Sequence, residues 1–400
     1  MNSVILSYGM GVESTAILVR WISEPPTRPC QLENLIVITA QVGDEYQDTG
    51  RDVENHILPL MRRHGIRYVQ VARRGHLETD GITVLDDSRS PEQVFLDGDY
   101  KLSDELRRNG TVPQFSGVHR CALKFKAWVI EQWLEANLRA PARHAFGYNA
   151  EETGRIERSE YAFSERIAFG FNAEERRRID RSCEYNTVSR QAFYPLLEWN
   201  WNRTACLDYL HSALGVLWKK SACVYCPFNA LRDEAIERHR AHPGQVADAL
   251  ALEHVSIALN PRGTLYKRRS LIEITHDAAN GAAILGYRKR IDSGQWAVYR
   301  VRRIYSAKAT ADRAVEKLSV FAAEQAAATE LSRIAATLGR PIENARGIPY
   351  VWCERRSETI FPTREEFITI APAVVETKAR HGIGWFERKW SSPQLRLFSA

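Results

Sequence analysis

The stretch that most constrains this chain is its opening, where a strand runs into a glycine-containing turn and then a helix. Val4-Ile5-Leu6-Ser7-Tyr8 is a short apolar run with the character of a buried strand. Gly9-Met10-Gly11-Val12-Glu13-Ser14-Thr15 follows, and Ala16-Ile17-Leu18-Val19 opens a helical pattern. Such a turn aims backbone N–H groups and a helix N-terminus at one point, which suits an anion such as phosphate. Two glycines let the backbone approach a ligand closely, and Ser14 and Thr15 add hydroxyl donors. A tight turn in any α/β protein has the same features, so the loop alone leaves both readings open.

The rest of the first half alternates short β-rich runs with helical ones. Strands are expected near residues 3–8, 35–40, 66–71, 144–148 and 191–194. Helices are expected over Glu13–Ser23, Asp48–His64, Leu123–Asn137 and Thr204–Leu214. Alternation of this kind implies a doubly wound, mainly parallel sheet with ligands at the C-terminal ends of its strands. A chain of 400 residues is long enough for two or three domains. The pattern divides it into an α/β region, 1–235, and a mixed, largely helical basic accessory region, 236–400. In the second region Asp233–Ala258 reads as helical, Trp296–Tyr305 as a strand, Ala307–Leu338 as an alanine-rich helix and Val351–Trp390 as a mixed tail. No run of about eighteen apolar residues exists and the N-terminus reads as a strand, so no membrane association and a cytoplasmic location are expected.

Five further segments follow the loop in an order that resembles the PP-loop ATP pyrophosphatase superfamily, in its phosphoadenosine phosphosulfate (PAPS) reductase-like branch. After Leu35–Ala40, Gln41-Val42-Gly43-Asp44-Glu45 resembles the family's Asp-Thr-Gly turn. His119-Arg120-Cys121-Ala122-Leu123-Lys124-Phe125-Lys126 resembles its Arg-x-Cys-Thr-x-x-x-Lys segment. Ala145-Phe146-Gly147-Tyr148-Asn149-Ala150-Glu151-Glu152-Thr153-Gly154-Arg155 resembles its Gly-x-Arg-x-x-Glu stretch. Tyr194-Pro195-Leu196-Leu197-Glu198-Trp199 resembles Pro-Leu-x-x-Trp, and Ser221–Phe228 the terminal Cys-x-x-Cys-Pro-Phe. The resemblance covers about residues 1–230 and implies an adenine nucleotide alpha hydrolase-like fold whose loop amides hold the pyrophosphate of ATP. It assigns nucleotide contacts to Ser7, Gly9, Gly11, Glu13, Ser14, Thr15, Gly43, Glu45 and Gly147. It assigns catalytic or substrate contacts to Cys121, Lys126, Glu152 and Arg155. Three positions depart from the pattern: Met10 replaces a glycine, Glu13 an aspartate and Gln41 an aspartate. Asp44 and Glu45, at a strand's C-terminal end, also suit Mg²⁺ or a ribose.

Seven cysteines in a chain this long do not form a disulfide framework and are better read as free, metal-bound or redox-active. Cys223-x-x-Cys226-Pro227 can turn two thiolates to one side of a tight loop. With Cys121 at the family's own cysteine position, three thiolates are available to one site, and Cys183 is the best fourth. A 4Fe–4S cluster fits that count, as in sulfur-inserting relatives; a structural zinc and unliganded thiols are the competing readings. Cys30, Cys206 and Cys353 read as ordinary semi-buried residues. One repeat stands out, Ala145–Glu152 recurring as Ala168–Glu175 with a basic run after each copy, a local duplication rather than a solenoid.

Charge is uneven. Residues 261–400 carry 24 Lys+Arg against 14 Asp+Glu, whereas residues 1–260 carry 31 against 35. Within the basic part, Tyr266-Lys267-Arg268-Arg269, Tyr287-Arg288-Lys289-Arg290 and Tyr299–Tyr305 interleave aromatic with basic residues, as suits unstacked bases on a phosphate backbone. Element edges with snorkelling basic side chains have the same pattern. Together these features point to an ATP-dependent, AMP-forming enzyme that activates a nucleic-acid atom for sulfur insertion, in DNA or tRNA modification or defence. Lys126 and Arg155 would offset transition-state charge, and a sulfur donor or other pathway proteins would be partners, with oligomerisation open. A sulfonucleotide reductase acting on PAPS or its unphosphorylated analogue, and a non-catalytic nucleotide-sensing or nucleic-acid-binding subunit, are the alternatives. Trp199 and Trp201 are expected to pack.

Overall fold

The computed structural model describes residues 4–113, 120–138, 142–146, 190–229, 233–266, 269–305, 311–358 and 363–392. Contacts along the backbone divide the chain into two units, residues 1–103 with 116–226, and residues 104–115 with 227–400. The first unit is α/β. Its described residues hold a six-stranded sheet in the order β4-β3-β2-β1-β5-β6, where β1 is Val4–Ser7, β2 Leu35–Gln41, β3 Arg67–Arg73, β4 Ile82–Ser88, β5 Ala142–Phe146 and β6 Arg190–Phe193. Five strands are parallel, and β4 runs antiparallel to β3 at the edge.

The apolar strand sequences follow from burial on both faces. Val4 and Leu6 of β1 join Leu35, Val37 and Tyr68 in one core, which they share with α1 (Val12–Ser23), α2 (Gln47–His56), α3 (Leu58–Arg63) and α6 (Arg203–Leu214). Ile5 faces the other way, with Ile36, Ile38, Val69 and Val71, against Val129, Trp133 and Leu134 of α5 (Trp128–Asn137). The helix expected over Asp48–His64 is interrupted at Ile57, because Pro59 cannot donate to the preceding turn. The one expected over Leu123–Asn137 opens with a wider π-turn, Leu123–Ala127, before α5 begins. β4 is not among the strands expected from the sequence. Its residues are partly exposed and end in acids, and Asp87 holds Arg67 of β3 through two hydrogen bonds of 2.7 Å.

The second unit is mixed, with helices set around a sheet larger than the strand expected from the sequence. It is built on a six-stranded antiparallel sheet, order β12-β8-β7-β11-β10-β9, with β7 Trp296–Tyr305, β8 Ala311–Phe321, β9 Ile342–Ala345, β10 Ile348–Glu354, β11 Thr363–Pro372 and β12 Lys378–Ala379. Helices α7 (Pro243–Ala258) and α8 (Glu324–Leu338) pack against it. Ala307–Leu338 is therefore not one helix. Its first part is β8, paired with β7 along both strands' length, and only the part with Ala327, Leu331 and Ala335 buried at helical spacing is α8. Alanine content favours a helix locally, but β7 is buried almost throughout and needs a neighbour on each edge. The Tyr299–Tyr305 run is consequently the sheet's central strand. Arg300 reaches Glu366 at 2.5 Å, Arg302 pairs with Glu387 and Arg303 with Glu365, so these arginines are held by carboxylates. The helix expected over Asp233–Ala258 restarts at Pro243, a residue suited to a first helical turn.

His254, on α7, tests the second unit's interior. Its Nδ1 lies 2.7 Å from the Tyr287 hydroxyl, and its ring stands edge-on to Trp296. Burial pushes its pKa down from 6.5 to about 4. The unfolded chain thus protonates first as pH falls, so the stability His254 supports is whole above about pH 6.5 and is lost towards pH 4. Between pH 7 and pH 5 this linkage removes about 2 kcal/mol. Urea titrations at the two pH values should show that much less loss for His254→Phe than for the unaltered chain; equal losses would mean that the imidazole is solvated.

Candidate functional site

The site is assembled where β1 and β2 end. The residues after β1 form the turn Tyr8–Gly11, and α1 begins at Val12 with Gly11 as its extended N-cap. Two carbonyls of this turn are held by the segment before the Cys-x-x-Cys. Ser221 Oγ donates to Gly9 O at 2.7 Å, and Trp218 Nε1 donates to Met10 O at 3.1 Å. A trans peptide sets its N–H opposite its C=O, so pinning these carbonyls turns the amides of Met10 and Gly11 away from the pinning segment. On the Gly9 side a methyl group added to the turn would meet nothing within 4 Å among the described residues.

Met10 adopts a left-handed conformation, φ 58°, with its side chain buried. Glycine occupies such a conformation without cost, whereas another residue is strained by about 1 kcal/mol or more. Here burial of the methionine side chain in the main core offsets that strain. The departure seen in sequence thus has a local explanation.

The other loop residues are anchored inward. Thr15 Oγ1 donates to Gly11 O at 2.7 Å and lies 3.3 Å from the Tyr8 hydroxyl, and Ser14 Oγ lies 3.4 Å from Gly11 O. Glu13 is buried and paired with Arg203, at the start of α6, at 2.7 Å. Ser7 Oγ is 2.8 Å from His144 Nε2 on the neighbouring strand β5.

The turn after β2 supplies the second wall. Gly43 has φ 85° and its backbone packs against Lys101, so only glycine fits. Asp44 Oδ2 accepts from Ser103 N at 2.7 Å, in the first turn of α4 (Leu102–Asn109). The Cys-x-x-Cys loop is stitched to this turn by an isolated bridge between Glu45 and Cys223, with Val224 N donating to Asp44 O at 3.2 Å and Tyr46 N to Ala222 O at 3.4 Å. Lys219 reaches Asp48 at 3.1 Å. From the third side, Lys126 in the π-turn sets its ammonium 3.3 Å from Glu45 Oε1. Arg73, buried on β3, fixes that turn by donating to Lys124 O at 3.3 Å.

The three cysteines meet here electrostatically. Burial, then the neighbouring Cys226, raises the pKa of the Cys121 thiol. The Cys223 thiol is raised further, first by burial and then by Cys226, Glu45, Cys121 and Asp44. Cys226 raises both of these thiols, which places the three in one neighbourhood, yet among the described residues no group of three or more His, Cys, Asp or Glu is gathered to hold a metal ion. Cys183 lies outside the described residues, as do Gly147, Glu152, Arg155 and nearly all of the repeat.

Gly9, Gly11, Glu13, Ser14, Thr15, Gly43, Glu45, Cys121, Lys126, Cys223 and Cys226 thus belong to one continuous neighbourhood, with Ser7 at its base. Sequence reasoning missed Trp218, Lys219, Ser221 and Arg203. All but Arg203 lie within eight residues of Cys226, so the loop's length was the available signal. Trp199 and Trp201 pack, enclosing the Arg20 guanidinium at 4.4 and 4.3 Å. Among the described residues no helix is long and apolar enough to cross a membrane. Comparison with protein-family models, with curated proteins and with solved structures finds no match.

Thiols whose ionisation is opposed are slow nucleophiles. Iodoacetamide at pH 7.5, followed by peptide mapping, should label Cys223 at least about tenfold more slowly in the native chain than in urea. Labelling as fast in the native chain would identify instead a stabilised, reactive thiolate.

Proposed function

We propose that this chain is a PP-loop enzyme of doubly wound fold that binds ATP and activates an oxygen of a nucleic-acid base for replacement by sulfur. The observation that carries this reading is the turn at Gly9–Gly11. Its carbonyls are tied back by Ser221 and Trp218, its amides are turned to the other side, and among the described residues the space over Gly9 is open. That is the arrangement a polyphosphate needs at the mouth of a parallel sheet.

The chemistry that fits has two steps. A base oxygen attacks the α-phosphorus, the bond to the β-phosphate breaks and pyrophosphate leaves from the loop. A sulfide equivalent brought by a donor then attacks the activated carbon, the C–O bond breaks and AMP leaves. Mg²⁺ carried by the nucleotide would offset charge on its phosphates. Lys126, poised on Glu45, supplies positive charge beside the loop. The donor brings the sulfur already at the sulfide level, so Cys121, Cys223 and Cys226 change no oxidation state in these two steps. No step here is routed through a metal.

Gly9→Ala is the direct test. Among the described residues nothing opposes the added methyl, so the variant should fold and unfold as the unaltered chain does. It should nevertheless bind ATP at least about tenfold more weakly, because the methyl occupies the space of a phosphate held by charge-assisted amide bonds. Isothermal titration with ATP, alongside pyrophosphate release in the presence of nucleic acid, reads both effects. Undiminished ATP affinity would remove the loop from the site. Turnover of an adenylated sulfate with a thiol reductant and no nucleic acid would favour the reductase reading. Iron and acid-labile sulfide near four per chain would restore the cluster.

A further inference from the structure

A cavity of about 570 Å³ lies wholly within the second unit, lined by Pro261, Arg262, Trp352, Arg355, Arg356, Ser357, Thr363 and Glu365. It sits where the central pair of the sheet ends, since Thr363 opens β11 directly opposite Tyr305, the last residue of β7. The lining holds three arginines and one glutamate. Two guanidinium groups lie against aromatic rings, Arg356 4.0 Å from the Tyr305 ring centre and Arg355 4.8 Å from that of Trp352. The third, Arg262, donates to the Tyr305 hydroxyl at 2.5 Å and lies 3.7 Å from Glu365. Glu365 is itself buried, accepting from the Tyr305 hydroxyl at 2.9 Å and pairing with Arg303 behind it. The Thr363 hydroxyl is buried with no hydrogen-bond partner among the described residues.

We propose that this cavity binds a nucleotide unit, a base together with its 5′-phosphate. Guanidinium planes backed by aromatic rings are flat, positively charged platforms on which a base can stack. They are ordered before the ligand arrives, so little side-chain freedom is lost on binding. Arg262, exposed at the rim, adds a fork for a phosphate, and Glu365 acts from below as the acceptor that fixes the Tyr305–Arg262 edge. A volume of this size suits one nucleotide rather than a duplex. The same chemistry is offered by a free mononucleotide and by one residue of a single strand. Only the identity of the strand as substrate rests on the function proposed above; the cavity's chemistry does not.

The test uses the full chain and a fluorescein-labelled single-stranded 12-mer, read by anisotropy across a salt series, with AMP titrated in parallel. The pair Arg262→Gln and Arg356→Gln should weaken 12-mer binding about tenfold or more. It should also flatten the slope of log affinity against log salt by about 0.7 for each phosphate no longer neutralised. The pair Arg333→Gln and Arg388→Gln, removing the same charge from exposed helical positions, should change affinity by less than about twofold if binding is site-specific rather than diffuse. Loss of AMP binding in the pocket pair with the 12-mer unaffected would also support the cavity, with a free nucleotide as its ligand. Equal weakening by the two pairs, or binding of neither probe by the unaltered chain, would overturn the proposal. Gly9→Ala separates the two readings: it should leave 12-mer binding intact, so failure of ATP at the loop does not decide the cavity.

Discussion

The first unit depends on the way residues 218–226 are sewn across the ends of β1 and β2. Side-chain donors from Trp218 and Ser221 capture the carbonyls of the loop, while backbone groups of Cys223 and Val224 pair with the turn after β2. These bonds join segments some two hundred residues apart in sequence, so they form only when the sheet is already in register. The loop's shape, the separation of the two walls and the placement of the cysteines all follow from this one strap. Removing it would free the carbonyls of Gly9 and Met10 and part the Cys-x-x-Cys loop from the turn after β2, leaving only the pairing of β1 with β2 to hold the strand ends together.

Much of the first unit's framework could be read from residue order because its physical causes are local. A parallel strand buried on both faces must be apolar throughout, and Leu35–Gln41 and Arg67–Arg73 largely are. The helix after Gly11 is apolar over most of its length and is buried nearly all round. What sequence concealed were effects of partners. Ala311–Phe321 has a helix-compatible composition, yet it is a strand because β7 needs an antiparallel neighbour. The arginines of Tyr299–Tyr305 resemble a polyanion-binding run until Glu365, Glu366 and Glu387, distant in sequence, are seen to meet them.

The candidate site divides along the same line. Gly9, Gly11, Gly43 and the Cys-x-x-Cys announce themselves by type and spacing. The inward commitment of Glu13 to Arg203 and of Asp44 to Ser103 does not, since each partner lies on another element. Nor could spacing show whether three thiols that share a neighbourhood also share a ligand geometry. The effect of Cys226 on the Cys121 and Cys223 thiols shows the neighbourhood; no group of three or more such donors is gathered among the described residues, and Cys183 lies outside them.

Met10 carries a consequence beyond its own strain. A loop of successive glycines samples many shapes and is moulded by whatever it grips, losing freedom on each encounter. A loop held by a buried methionine and two captured carbonyls has surrendered that freedom during folding. It is a template rather than a glove. In the function proposed, such a loop would discriminate by shape: a ligand that matched it would associate without waiting for the backbone, and one slightly too large would find no accommodation.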